Sequence, residues 1–336
     1  MKSIIEIQKK IAPESIDIVK KRHNILRSIS YLQPIGRRNL AAKIGVGERV
    51  LRSEVNKLKD SNLIKIETAG MSLTKNGETF LEESEDYIKE LLGLTNLEDL
   101  LKARLNIEKV VVIPGDSDEN PLVKDEIGKG VATALLKLLK DGDVIAVTGG
   151  STVAAIADQL PKTTKDVTVV PSRGALGEQV EIQANTIAAA LANKLGGRYK
   201  LLHAPDNLSQ NALSSIIADP KIASVLEAIK GSNILIHGIG EAGVLAQRRS
   251  TDPEILDKLE KSNAVAEAFG YYFDAKGNIV HQVESIGLKL TDLQHISKVI
   301  AVAGGKSKAK AIEAVAINHR QHILVTDEGA AMEILN

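Results

Sequence analysis

Val144-Ile145-Ala146-Val147-Thr148-Gly149-Gly150-Ser151-Thr152-Val153-Ala154-Ala155-Ile156-Ala157 decides the fold of most of this chain. Four consecutive apolar residues, two of them valine, read as a strand buried on both faces; a Gly-rich turn follows, then a helix of small residues. Comparable runs recur at Val110-Val111-Val112-Ile113, Val167-Thr168-Val169-Val170, Leu201-Leu202, Ile234-Leu235-Ile236, Val299-Ile300-Ala301-Val302 and Ile323-Leu324-Val325, with helical stretches between them. That alternation predicts an α/β domain on a doubly wound, Rossmann-like parallel sheet. Its ligand crevice lies beyond the C-terminal ends of the strands, so the residues following each strand carry the information.

After Val147, glycines permit close backbone approach, two hydroxyls follow, and the helix N-terminus presents unpaired N–H groups. Gly149, Gly150, Ser151 and Thr152 therefore form a phosphate cradle, though not a Walker A loop. After Val170, the segment Pro171-Ser172-Arg173-Gly174 places a permanently charged guanidinium at the same edge of the sheet. His237-Gly238-Ile239-Gly240-Glu241-Ala242-Gly243 spells G-x-G-x-x-G. Val244 to Phe269 reads as mostly helical, however, with no second strand ending in an acid, so a dinucleotide site is not expected. Arg248-Arg249 beyond that loop can reach an anion, and Ala303-Gly304-Gly305-Lys306-Ser307-Lys308 is a second candidate anion turn.

Glu267-Ala268-Phe269-Gly270-Tyr271-Tyr272-Phe273 gathers four of the eight aromatic residues and precedes a hairpin turn at Asp274-Ala275-Lys276-Gly277. Glu267 there can accept hydrogen bonds from sugar hydroxyls. His319 and His322 share one helix face but have no third ligand nearby, and no metal site is expected.

The chain has 336 residues, 43% hydrophobic and 26% charged, which fits about two globular domains. The absence of cysteine excludes disulfides, thiolate nucleophiles and cysteine-built metal centres, and points to a cytoplasmic setting. Met1 to Lys21 is interrupted by Lys2, Glu6, Lys9, Lys10, Glu14 and Asp17, so no signal core is expected, and no stretch approaches a membrane span. The 43 basic and 43 acidic residues cancel, but unevenly: residues 1–75 hold 16 basic and 7 acidic side chains, leaving 27 and 36 in the remainder. A basic head on an acidic body is the footprint of a module that meets a polyanion.

Within that head, apolar spacing predicts a helix from Ile18 to Leu32 that Pro34 terminates, a short helix from Arg37 to Ile44, a turn at Gly45-Val46-Gly47, and a third helix from Glu48. On the third helix Leu51, Val55 and Leu58 face the core. Arg49, Arg52, Ser53 and Asn56 fall together on the other side with base-reading chemistry, while Arg37, Arg38, Lys57 and Lys59 suit phosphates. Leu63 to Glu67 and Met71 to Thr74 then form a β-wing around Thr68-Ala69-Gly70. The unit reads as a winged helix-turn-helix. An amphipathic helix from Glu78 to Leu92 connects it to the larger domain.

These motifs together, namely Pro34-Ile35-Gly36-Arg37-Arg38 through Glu48-Arg49-Val50-Leu51-Arg52, Val147 to Thr152, Gln183-Ala184-Asn185-Thr186, His237 to Ala242 and Glu267 to Phe273, resemble the SorC family of sugar-phosphate-responsive bacterial transcriptional regulators. The resemblance covers essentially the whole chain. It implies a DNA-binding domain over 1–90 and, over 91–336, an effector-binding and oligomerisation domain resembling sugar-phosphate isomerases and deaminases.

By that resemblance the protein represses a glycolytic operon until fructose-1,6-bisphosphate binds, needs no cofactor, and acts on operator DNA as a homodimer to homotetramer. One phosphate would sit on Gly149, Gly150, Ser151 and Thr152 with Lys308 nearby; Arg173, Gln183, Arg248 and Arg249 would surround the rest of the bisphosphate, and Glu267 the sugar hydroxyls. Ser151 stands where the family carries threonine, which keeps the hydroxyl. The alternative is a sugar-phosphate isomerase or deaminase with a DNA-binding head, using Glu267, Asp274, Asp327 and Glu328 as acid–base groups.

Overall fold

The computed structural model describes residues 2–174, 179–205, 210–249, 251–283 and 285–336. They form two compact units, Met1–Asn96 and Leu97–Asn336.

In the first unit, helices Lys2–Ile11, Pro13–Leu32, Arg37–Lys43 and Glu48–Asp60 precede strands β1 (Ile64–Glu67) and β2 (Gly70–Leu73). The apolar stripes of the sequence close on one core: Ile25, Leu26 and Ile29 from the long helix, Leu40 from the short one, Leu51, Val55 and Leu58 from the third, and Ile64 and Met71 from the wing. Each such side chain, fully buried, contributes roughly 1.5–3 kcal/mol. The wing is an antiparallel hairpin. It is tied to the segment ahead of the short helix, since Ile35 N–H donates to Met71 O at 3.1 Å and Met71 N–H donates back to Ile35 O at 2.8 Å.

The connector expected as one helix over 78–92 is two, Lys75–Glu83 and Glu85–Leu92. Ser84 ends the first and begins the second, with its N–H bonded to Phe80 O and its own carbonyl accepting from Ile88 N–H. The break lets Ile88 and Leu91 bury against Ile5, whereas Phe80 stays 42% exposed.

The second unit is built on a parallel seven-stranded sheet: β3 (Lys109–Ile113), β4 (Val144–Val147), β5 (Thr168–Pro171), β6 (Arg198–Tyr199), β7 (Ile234–Gly238), β12 (Lys298–Val302) and β13 (Ile323–Asp327), in the order β3-β13-β12-β7-β4-β5-β6. Winding runs outward from β4 to β6, then returns to β7 on the other side of β4. The sheet's switch point therefore lies between β4 and β7, where an open α/β sheet opens its crevice. A second, antiparallel sheet orders β8 (Gly240–Glu241), β9 (Ala264–Ala268), β10 (Tyr271–Asp274) and β11 (Ile279–Gln282) as β11-β10-β9-β8.

Two expectations are corrected. The run Leu201-Leu202 is not a strand: β6 lies at Arg198–Tyr199, and Leu202 instead exchanges backbone hydrogen bonds with the side chain of Asn185, both at 3.0 Å. The stretch after the G-x-G loop is helical only over Ala242–Arg248 and Pro253–Lys261, and then becomes β9, which carries Glu267. A strand with an acid does follow the loop, but it runs antiparallel in the small sheet rather than beside β7, so the dinucleotide arrangement is not formed.

Helices Leu122–Leu138 and Ser151–Gln159 pack closely at Gly128, where an added Cβ would stand 2.8 Å from Ala155 O and 2.9 Å from its carbonyl carbon. Gly128→Ala should therefore destabilise this unit. Overpacking against backbone costs about 1–3 kcal/mol, which outweighs the roughly 1 kcal/mol that alanine gains over glycine in a helix. Slower protection loss in the wild type at the amides of both helices, read by hydrogen exchange, checks this. Among the described residues no helix is long and apolar enough to cross a membrane.

Candidate nucleic-acid interface and anion site

On helix Glu48–Asp60 the residues Arg49, Arg52, Ser53 and Asn56 are all exposed while Leu51, Val55 and Leu58 are buried, so the two faces separate as the spacing predicts. Arg38 is 88% exposed at its side chain and only 3.6 Å from Glu48, a loose surface pair; Arg37 is half-buried. Lys57 stays half-exposed at its side chain, with its Nζ 3.6 Å from Glu54 Oε1.

Glu54, which no sequence signal singled out, is buried on this helix and accepts a hydrogen bond from Arg22 Nε at 2.8 Å. That bond, with the charges of Arg22 and Lys57, holds the carboxyl below its ordinary 4.5. A depressed carboxylate stabilises the folded state above its unfolded pKa, and the contribution is lost as pH falls through the folded value. The head should therefore weaken progressively below about pH 4.5. Glu54→Gln should be less stable near pH 7 and lose less on acidification, measurable by hydrogen exchange in helix Glu48–Asp60 between pH 3 and 7.

At the switch point of the second unit, Thr148 N–H donates to Ile236 O at 3.0 Å, and Gly238 N–H donates to Thr148 Oγ1 at 3.1 Å. These bonds fix the Gly149-Gly150 loop against β7. Gly150 N–H donates to Ile182 O at 2.8 Å, and a Cβ on Gly149 would meet that same oxygen, so the turn carrying Gln183 abuts the cradle. Ser151, exposed, and Thr152, half-buried, open the helix. Lys124, missed in the sequence, reaches Ser151 Oγ with its Nζ at 3.5 Å. Lys308 belongs to the same neighbourhood: burial first, and then repulsion by Lys124, pushes its ammonium below the usual lysine range.

The second Gly-rich turn is not an open anion site. Its N–H groups are already taken by carboxylates of this chain: Gly305 N–H by Asp327 Oδ2 at 2.7 Å, Lys306 N–H by Asp116 Oδ1 at 3.3 Å, and Ser307 N–H by Asp118 Oδ2 at 2.8 Å.

Beyond β5 the side chain of Arg173 is 5% exposed, and its Nη1 lies 3.8 Å from Glu267 Oε1. Arg249 approaches the same oxygen at 2.8 Å through Nη2, and its guanidinium carbon sits 5.9 Å above the Tyr272 ring. Glu267 Oε1 also accepts from Gly270 N–H at 2.6 Å. The placement depends on the two-residue turn Phe269-Gly270 between β9 and β10, both residues at positive φ. A Cβ on Gly270 would fall within 2.6 Å of the Arg173 guanidinium. Of the adjacent pair, Arg249 faces this cluster, whereas Arg248 is exposed at the end of its helix. Ser172 N–H donates to Val147 O at 2.7 Å, so the arginine cluster and the Gly149-Gly150 cradle stand on neighbouring strand ends.

The carboxylates weighed for acid–base chemistry all hold structure. Asp327 is fully buried and accepts backbone N–H groups from Ser117, Gly305 and Ala330. Glu328 accepts from Gly115 N–H, Asp274 builds the turn with Lys276 and Asn278, and Glu267 is engaged by the arginines. His237, in the G-x-G loop, is buried against Phe269 with ring centroids 4.3 Å apart and bonded to Gln321, and burial lowers its pKa. His319 packs against Phe273 with the rings tilted by 50°, whereas His322 Nδ1 accepts from Val299 N–H, so the two rings serve separate packing roles. Among the described residues no group of three or more His, Cys, Asp or Glu could hold a metal ion.

Residues 89–336 match the family described as "Putative sugar-binding domain", and residues 18–88 match the family described as "CggR N-terminal DNA binding domain". The chain is 48% identical to the central glycolytic genes regulator of Bacillus subtilis (strain 168), over 100% of this chain and 99% of that one. Identity is also 48% to its namesake in Priestia megaterium, with the same coverage. A crystal structure of a SorC family transcriptional regulator from Enterococcus faecalis matches 72% of this chain and all of that one at 41% identity and TM-score 0.68. The full-length sorbitol operon regulator SorC of Klebsiella pneumoniae matches 95% of this chain and 98% of its own at TM-score 0.68; at 18% identity it speaks for the fold alone.

Proposed function

Since this chain belongs to the SorC family, alongside the central glycolytic genes regulators, we propose that it is a DNA-binding repressor of glycolytic genes whose operator is released when fructose-1,6-bisphosphate binds the second unit. The observation that carries this reading is the pairing, in one chain, of an exposed base-reading helix face with a switch-point crevice rich in cations. Arg49, Arg52, Ser53 and Asn56 would enter a major groove, with Arg37, Arg38 and Lys57 on phosphates. A bisphosphate carries up to four negative charges, which suits the hydroxyls, helix N-terminus and Lys308 at one strand end and Arg173 with Arg249 at the next.

A palindromic operator calls for an even number of heads, so a homodimer or homotetramer is the working form. Coupling between effector and DNA of about 1–3 kcal/mol would change operator affinity roughly 5- to 150-fold, enough for a switch. The test is fluorescence anisotropy of a labelled duplex from upstream of the protein's own operon, at fixed salt, with and without the sugar. Tight binding that weakens or changes stoichiometry with fructose-1,6-bisphosphate, and not with fructose-6-phosphate, is expected. Tight binding indifferent to every phosphosugar would sink the effector assignment and keep the head. No specific binding would return the weight to an enzyme.

A further inference from the structure

The helix that follows the first strand of the large sheet delivers a cation that none of the assignments above uses. Helices Leu122–Leu138 and Ser151–Gln159 both begin at the C-terminal edge of the sheet and pack tightly where Gly128 meets Ala155. One turn earlier on each helix stand Lys124 and Ser151, because residues four apart share a face. The tight crossing brings Lys124 Nζ to 3.5 Å from Ser151 Oγ, so the ammonium is held by a hydroxyl rather than by a carboxylate. Lys308 stands at the start of helix Ala309–Asn318, where burial first and the charge of Lys124 second hold its ammonium below the usual lysine range. An ammonium beside a hydroxyl at a helix N-terminus is placed to meet an anion, and a second cation in the neighbourhood strengthens that preference.

We propose that Lys124 is a direct ligand of the effector's phosphate, closing a two-lysine clamp with Lys308 over Ser151. This rests on the effector reading above and adds to it a residue and a selectivity. Two ammonium groups favour a phosphate monoester as the dianion, the form that prevails above its second pKa of about 6. Affinity should therefore decline as pH falls below that value.

The experiment is calorimetric titration of the full chain with fructose-1,6-bisphosphate and with inorganic phosphate, comparing wild type, Lys124→Gln, Lys124→Arg and Lys129→Gln. Lys129 is exposed on the same helix and serves as the charge control. Loss of a charge-assisted hydrogen bond should weaken both probes about 10-fold or more in Lys124→Gln. Lys124→Arg, which keeps the charge, should stay within about threefold of wild type. Lys129→Gln should change neither, and the ligand-free thermal midpoint should hold in all four. Unchanged affinity in Lys124→Gln overturns the assignment and leaves the effector reading intact, as does an equal loss in Lys124→Arg and Lys129→Gln. A wild type that binds no fructose-1,6-bisphosphate overturns the effector reading and the clamp with it.

Discussion

Arg173→Ala is expected to abolish release of the operator by fructose-1,6-bisphosphate while leaving sugar-free DNA binding in place. Arg173 ends β5 beside the cradle, almost wholly buried, and its guanidinium lies over Gly270 and 3.8 Å from Glu267. A guanidinium meets phosphate through two parallel hydrogen bonds, each worth about 1.5–3 kcal/mol when charged. Losing both should weaken sugar affinity on the order of 100-fold or more. The fold should survive, because Glu267 keeps Arg249 at 2.8 Å and the Gly270 N–H at 2.6 Å, so no carboxylate is left buried without a partner. Arg173→Lys should be intermediate, retaining charge but not the planar fork. Titration calorimetry measures the affinity and anisotropy the release; a variant that still releases DNA at wild-type sugar concentrations removes Arg173 from the site.

How far the sequence was legible depends on what fixed each element. Strands such as Val144–Val147 and Lys298–Val302 were plain because burial on both faces leaves a continuous apolar run, and the residues after them did assemble at one edge. The run Leu201-Leu202 carried the same local signal, but a side chain, Asn185, took the role of its partner strand. Ala264–Ala268 reads as helical because alanine and glutamate favour helices; it is a strand because the Phe269-Gly270 turn folds it onto β10.

Among the candidate site residues, the turn Gly149 to Thr152 between its strand and helix was readable because strand–turn–helix patterning is local. Lys124 was not, since only the crossing at Gly128 carries it to Ser151. The distinction between Arg248 and Arg249 also depends on burial rather than spacing. Asp116 and Asp118 occupy the second Gly-rich turn from about 190 positions away, a distance at which no sequence pattern operates.

Arg52→Ala combined with Asn56→Ala should erase operator specificity, whereas Lys57→Ala should weaken every duplex alike and only slightly. Arg52 and Asn56 are four residues apart on the exposed face of helix Glu48–Asp60, one turn from each other, opposite the buried Leu51 and Leu58. Bidentate pairing of arginine with guanine or asparagine with adenine contributes about 1–3 kcal/mol of discrimination at each base. Removing both should cut the ratio of specific to non-specific affinity on the order of 100-fold, with little change in salt dependence. Lys57 carries no such information, and its charge is already shared with Glu54 at 3.6 Å, so its loss should lower the salt slope by less than about one unit. Anisotropy titrations on operator and scrambled duplexes across a salt series separate the two behaviours. If the double variant kept its preference for the operator, base reading would have to rest on Arg49 and Ser53 or on the wing, where Lys65 and Glu67 pair with each other at 3.0 Å.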